Sequence, residues 1–394
     1  MDIRALLLVS GGTAGNGEAP QAGSIAGVPF AFLDVLGSTV LERVAQRLNA
    51  AGISQISVLT SAGQEAKTFV EQACFAARVN SVTVTGEEYW PAAEEVCEEF
   101  RQAGADMVLV LRLGSYVEMD FEELIQHHID KHCRMSSAVD ARGRELEIFL
   151  LDAARRGDAS ALFRSKLERV RDDCERFKAK GYINPLRTAE DLRLLALDGL
   201  LEKNAIRPVG REIRPGVWVG ARARIHGNAR ILAPAFIGVG AKIRAASLIT
   251  RNSVVERHAE IDCGTVVENS TVLPYTYIGA GLDVMHSVVG FRRVCNLPLN
   301  AEVEISDARL VGSSPANTVS RTLGSAVALF AVLPKQVFRG FLGRVRKPRP
   351  AALPESLQAP APKLGTPDGN EPASGQEVGE FPSSFAVARR YGEH

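Results

Sequence analysis

Between Arg4 and Arg43 the chain carries no lysine and no arginine. That stretch includes a glycine-rich loop, so a phosphate held there would meet no side-chain cation from the loop itself. The six cysteines (Cys74, Cys97, Cys133, Cys174, Cys263 and Cys295) form no CxxC pair and no metal-ligand spacing. Such scattering fits reduced thiols in a cytoplasmic protein better than a disulfide framework. No apolar run reaches the eighteen or so residues that span a bilayer. The run over 5–9 is too short for a signal peptide and reads as a buried strand. Basic and acidic residues balance at 46 each, so no charge excess points to nucleic acid, and no such partner is expected.

What is present is a globular composition, 46% hydrophobic over 394 residues. That is enough for two ordinary domains and a tail. The second half has a six-residue beat. Ile213, Val219, Ile225, Ile231, Ile237, Ile243, Ile249, Val255, Ile261, Val267 and Leu273 follow one another at that interval. Two residues before most of them sits a small side chain, as at Ala235, Ala241, Ser247, Ser253, Ala259 and Thr265. Neither a helix nor a simple strand has this period, whereas a repeating coil does. Each hexad is then one short strand plus a corner, with its aliphatic residue pointing to the axis of a triangular prism. The pattern resembles the hexapeptide-repeat family, whose fold is a left-handed parallel β-helix with three hexads per coil. The beat slips after Leu273, and weaker pieces at 277–279, 287–290 and 303–312 are expected to form imperfect closing coils.

The first half alternates apolar strands (3–10, 55–60, 81–85, 106–113, 135–139) with amphipathic helices (39–51, 63–77, 91–103, 120–131). That order predicts a mostly parallel sheet covered by helices on both faces. Its ligand crevice should lie beyond the carboxyl ends of the strands, lined by loop 10–29 and residues 113–118.

These segments resemble sugar-1-phosphate nucleotidylyltransferases, including mannose-1-phosphate guanylyltransferases. The opening Leu6–Thr13, the helix and strand from Leu36 to Thr60, the strand 105–111 followed by Gly114, Asp120 and His127, and the closing segments 181–183 and 187–192 carry the likeness. The resemblance implies an α/β Rossmann-like nucleotidyltransferase (GT-A-like) domain over 1–204 and a hexapeptide β-helix over 205–312. An amphipathic basic segment over 313–347 and a disordered tail over 348–394, rich in Pro, Ala, Gly and Glu, complete the expected layout.

Enzymes of that family bring two polyanions together, which calls for cations and Mg²⁺. The resemblance implies a loop Arg, a Lys before Pro and two metal-binding Asp residues. Here the loop reads Gly11-Gly12-Thr13-Ala14-Gly15, the Lys-Pro position reads Val28-Pro29, and the strand-end Gly-Asp reads Gly114-Ser115. The second Asp position reads Asn184, and the stretch from 139 to 181 is short for a sugar pocket. A neutral hydroxyl or amide is a poor substitute for a carboxylate on Mg²⁺. The expectation is therefore a pseudoenzyme, with no catalytic residues and no cofactor. Gly11, Gly12, Thr13, Gly114 and Ser115 are either a vestigial nucleotide-binding set or plain turn residues.

Two alternatives stay open. An active nucleotidylyltransferase would hold Mg²⁺ through relocated ligands, Glu118 and Asp120. A hexapeptide acyltransferase would use His226, His258 or His286, the last with Asp283 near it in sequence, as general base. The expected partners are a nucleotide or sugar phosphate, together with a second copy of the chain or an active relative. Nine basic residues against two acidic ones between Arg211 and Arg257 give the coil a basic surface. The basic stretch 321–349 fits either an anionic membrane face or packing against the coil.

Overall fold

The structure, a computed structural model, describes residues 1–9, 23–61, 63, 66–83, 89–153 and 175–314. Gly11, Gly12 and Thr13, and the expected segments beyond 314, lie outside the described residues.

A seven-stranded sheet organises the first half. Its strands are β1 (Ile3–Val9), β2 (Gln55–Thr60), β3 (Asn80–Thr83), β4 (Met107–Arg112), β5 (Met135–Val139), β6 (Glu145–Asp152) and β7 (Glu175–Lys178), in the order β7-β5-β6-β4-β1-β2-β3. All neighbours pair in parallel except at β6, which runs antiparallel to both β4 and β5. Alternation along β1 explains the layering. Ala5, Leu7 and Val9 face one core with Leu41, Val44 and Leu48 of α1 (Val40–Ala50), Val70 of α2 (Lys67–Ala77) and Leu124 of α4 (Phe121–Asp130). Leu6 and Leu8 face the other, against Ala93, Val96 and Phe100 of α3 (Tyr89–Gln102). The period of two in a strand thus sends successive side chains to opposite helical layers.

The helix starts follow from capping chemistry. Thr39 and Glu42 satisfy each other's backbone N–H groups at the start of α1, and Thr188 and Asp191 do the same for α5 (Ala189–Leu200). The Asp120 side chain caps α4 through the backbone N–H groups of Glu122 and Glu123. β6, β7 and α5 were not expected; β6 fills the gap between β4 and β5 and makes the sheet mixed.

The second half is a three-faced parallel coil. Ile231, Ile249 and Val267 stack in register on one face, Ile225, Ile243 and Ile261 on another, and Ile237 and Val255 on the third. Successive partners lie 18 residues apart, three hexads per turn. Their aliphatic side chains fill one apolar interior. Each fully buried Ile or Val contributes on the order of 1.5–3 kcal/mol by leaving water. Small hydroxyl residues close the corners: Ser253 donates to Val267 O at 3.0 Å and Thr265 to Gly279 O at 2.6 Å.

The structure corrects the expected beat at three places. Ile213 is 49% exposed, because Arg211–Arg214 turns back antiparallel onto Val217–Val219 instead of entering the prism. The slip comes one step earlier than expected: Val255 pairs with Val272, 17 residues on, so Val272 points inward. Leu273 points to the first half instead. The cause is the corner. Arg251 and Asn252 both take left-handed backbone, but the next coils turn there with Asn269 alone and then His286 alone, one residue fewer. Lastly, 303–312 forms no closing coil; Arg293–Asn296, Ala301–Glu304 and Val311–Ser313 pair antiparallel and finish the sheets.

The outer side of one coil face packs on the first half through Phe236, Val254, Leu273 and Val288, which share a core with α1 and β1. Polar groups pin the same junction. Both carboxylate oxygens of Glu256 accept backbone N–H bonds, from Leu36 at 2.7 Å and Gly37 at 2.9 Å. Arg193, buried on α5, donates to Asn252 O and to Asn269 Oδ1 at 2.9 Å. Among the described residues no helix is long and apolar enough to cross a membrane.

Candidate functional site

The carboxyl ends of β1, β2 and β4 converge at Val9, Thr60 and Arg112. Ser61 N donates to Val9 O at 3.3 Å and Leu113 N to Leu8 O at 2.9 Å, so three strands end at one level. The loop leaving Val9 returns at Gly23, where a Cβ would lie 2.5 Å from the Arg187 carbonyl oxygen and 2.4 Å from the Phe30 ring. Only glycine fits that return, which ties the loop's far end to the segment before α5. Beyond β4 the chain turns tightly, Gly114 N donating to Arg112 O at 2.7 Å. The short strand Tyr116–Val117 that follows pairs with Ile183–Asn184. Gly114 and Ser115 therefore sit at the mouth of the sheet, half-buried. A small pocket beside them is walled by Arg47, Arg112, Ser115 and Phe121.

The other candidates are engaged elsewhere. Both oxygens of Glu118 accept from Ala205 N, at 2.8 and 2.9 Å, and its Oε1 also accepts from the Tyr116 hydroxyl. Asp120 caps α4 through one oxygen, Oδ1, which accepts from Glu122 N and Glu123 N. Asn184 is fully buried; its amide donates to Asp191 O at 2.9 Å and its oxygen accepts from Leu186 N at 2.9 Å. These are backbone-satisfying roles. Among the described residues no three His, Cys, Asp or Glu side chains gather as a metal site.

Charged groups that the sequence reading did not single out do reach the strand ends. Arg112, the last residue of β4, lies 3.8 Å from Glu147 on β6, and its guanidinium sits 5.6 Å from the centre of the Trp90 ring. Glu147 arrives there on a bulge: between Ser137 and Val139 the β5–β6 register shifts, and Glu147 takes a left-handed φ of 57°. Bulges of this sort re-aim a side chain at the rim of a sheet. A Cβ on Gly114 would lie 3.5 Å from Glu147 Oε2, so the carboxylate stands beside the Gly114-Ser115 turn. Burial raises its pKa, the positive charges of Arg112 and then Arg187 oppose the rise, and nearby Glu145 adds to it. Arg112 thus brings to the strand ends a positive charge absent from the loop, and the charge of Arg187 acts on the same carboxylate. The available signal was a lone arginine closing an otherwise apolar strand, Met107–Arg112.

The coil histidines are apart from this crevice. His258 stacks on Tyr275, ring centres 5.2 Å apart, and its pKa is lowered by burial and then by Arg257, Arg222 and Lys242. His226 Nδ1 accepts from Asn228 N at 3.1 Å, and His286 Nδ1 lies 2.7 Å from the Asn269 amide. Asp283 makes no hydrogen bond to His286 among the described residues.

No family model matches the chain. Over 118 residues it is 29% identical to a UTP–glucose-1-phosphate uridylyltransferase of Synechocystis sp.. The match takes in 29% of this chain and 30% of that protein, so the chain spans less than a third of that relative. It supports a nucleotidyltransferase-like relationship, and the mixed sheet with parallel strand ends at the crevice is compatible with one.

Proposed function

We propose that the chain is a catalytically degenerate, nucleotidyltransferase-like protein of sugar-nucleotide or cell-envelope polysaccharide metabolism. It would bind a nucleotide or sugar phosphate at the strand ends and act as a scaffold or regulator, in the cytoplasm, alongside a second copy or an active relative. The observation that carries this reading is the fate of the acids around the crevice. Ser115 stands at the strand end, Glu118 and Asn184 are held by backbone hydrogen bonds, and Asp120 caps α4 through Oδ1. Arg112, paired with Glu147 at 3.8 Å, and Arg187 would be the cations offered to a phosphate. In this reading residues 1–204 form the binding domain and 205–312 a left-handed hexapeptide β-helix, supported by the 18-residue register of the coil. Gly11, Gly12 and Thr13 would line the phosphate side through backbone N–H groups. No cofactor is required.

One observation favours an active nucleotidylyltransferase as a second reading: the Glu147 carboxylate beside Gly114, a relocated acid at the strand end. The acyltransferase reading has less support, since none of the three coil histidines has a carboxylate partner among the described residues. Titration calorimetry with nucleoside triphosphates and sugar 1-phosphates, with and without Mg²⁺, tests the proposal beside a pyrophosphate-release assay. Binding that weakens at least about tenfold in Arg112→Ala, without turnover, is the expected result. Pyrophosphate release with any sugar 1-phosphate overturns it, and so does an absence of binding.

A further inference from the structure

Of the three outer faces of the coil, one packs on the first half through Phe236 and Val254. A second is a charged ladder in which Lys242 and Arg244 share Glu260. The third is different. Its strands Arg230–Ile231, Leu248–Thr250, Val266–Glu268 and Asp283–Met285 alternate in and out, with Ile231, Ile249, Val267 and Val284 inside. The outward residues therefore stand in two rows fixed by the register. One row reads Arg230, Leu248, Val266, Asp283. The other holds Thr250, Glu268 and Met285, with Leu232 at its head, two residues past Arg230. Leu232 is 52% and Met285 43% exposed. Glu268 is already neutralised by Arg251 at 3.1 Å. Arg230 and Asp283, at opposite ends of the first row, are exposed and make no ion pair with any described residue.

We propose that this face is an isologous interface with a second copy of the chain. A two-fold axis along the strand direction, midway between Leu248 and Val266, inverts the ladder while keeping each row opposite itself. Arg230 then meets Asp283 of the second copy, twice per dimer. Leu248 faces Val266, and Leu232 faces Met285. The first row, with opposite charges at its ends and apolar residues between, is complementary to its own inverse, which is the requirement of a two-fold contact; in the second row Thr250 faces Glu268, whose charge Arg251 balances. A parallel arrangement brings the Arg230 ends to one level and the Asp283 ends to the other, and pairs no opposite charges. Four strands at the usual spacing of about 4.8 Å put the end strands only about 14 Å apart. The contact buries less than the roughly 1,200 Å² of a standard stable interface, so association is micromolar or weaker and salt-sensitive.

Sedimentation velocity of the full chain, from about 5 to about 200 µM at low salt, reads this out. The sedimentation coefficient rises toward that of a dimer with concentration. Arg230→Asp and Asp283→Arg each place two like-charged pairs at the contact and weaken association at least about tenfold. Mixing the two single variants restores it, because in the mixed pair Asp at 230 meets Arg at 283 and Arg230 meets Asp283. The double reversal in one chain also restores it. Circular dichroism melts of the single variants match the parent, which separates loss of contact from loss of fold. The proposal is overturned if the parent chain stays monomeric throughout, as it would with residues 315–394 or another protein on this face. It is equally overturned if the mixture of single variants associates no better than either alone.

Discussion

Asp34 and Glu256 meet at the junction of the two halves with 1% and 0% exposure. Asp34 has Arg257 at 3.0 Å, but neither of its oxygens accepts a hydrogen bond. Arg43 spends its donors on the carbonyls of Val35 and Leu36. Both carboxyls are consequently pushed up. Burial is the main cause for each; Arg257 opposes it at Asp34, and Asp34 reinforces it at Glu256, which reaches about 8. A carboxyl whose pKa is higher folded than unfolded makes the folded state hold more protons. Its stabilisation is complete below the ordinary carboxylate range near 4 and is lost as pH rises through the raised native value. Each retained proton changes stability by at most about 1.4 kcal/mol per pH unit within that window. His128 and His258, both lowered by burial, act with the opposite sign, so the parent protein alone cannot isolate the pair. Asp34→Asn removes one acid and relieves the other while leaving those histidines in place. In urea denaturation at pH 5, 6, 7 and 8, the stability of Asp34→Asn relative to the parent should climb with pH. A gain of about 2 kcal/mol between pH 5 and 7 is the expected scale. A constant offset caused by losing the Arg257 ion pair does not affect that slope. A relative stability that is flat or falls with pH would refute the reasoning.

Three further outcomes test the scaffold. Ile249→Ala, in the centre of the coil between Ile231 and Val267, should cost about 2–5 kcal/mol in denaturant unfolding; less than about 1 kcal/mol would mean the interior is not close-packed. Gly181 has φ 122°, and a Cβ there would fall 2.0 Å from the Glu118 carbonyl oxygen, so Gly181→Ala should abolish soluble folded protein or sharply lower its melting temperature, and a parent-like melt would contradict this packing. Glu118→Ala removes the acceptor of the exposed Ala205 N–H and should cost about 0.5–1.5 kcal/mol while leaving nucleotide affinity in calorimetry unchanged. Loss of Mg²⁺-dependent binding at parent-like stability would instead make Glu118 a ligand.

The coil was legible because its inward residues are specified by local sequence: any six-residue period of Ile and Val, with small residues at the corners, can only be buried by stacking. Where the reading erred, the deciding information was in the backbone. Whether the corner after Thr250 takes two left-handed residues or, one coil later, only Asn269 decides if Val272 or Leu273 turns inward, and both are aliphatic. The helices and parallel strands of the first half were legible through capping and periodicity. β6 was missed because its strand, Glu145–Asp152, opens with charges and holds Glu147 in a bulge, which breaks the alternation that marks a strand. The same bulge kept the candidate site out of reach of sequence reasoning. Glycine turns and absent lysines can be read from a loop, but the partners at the strand ends come from distant places: Arg112 from β4, Glu147 from an antiparallel neighbour, Arg187 from the approach to α5. No spacing links them. Their meeting depends on β6 running antiparallel to β4, which sets Ile148 opposite Leu111 and so brings Glu147 level with the end of its neighbour. The charge balance of this crevice is therefore a property of sheet order, and a loop without cations does not by itself make a pocket without cations.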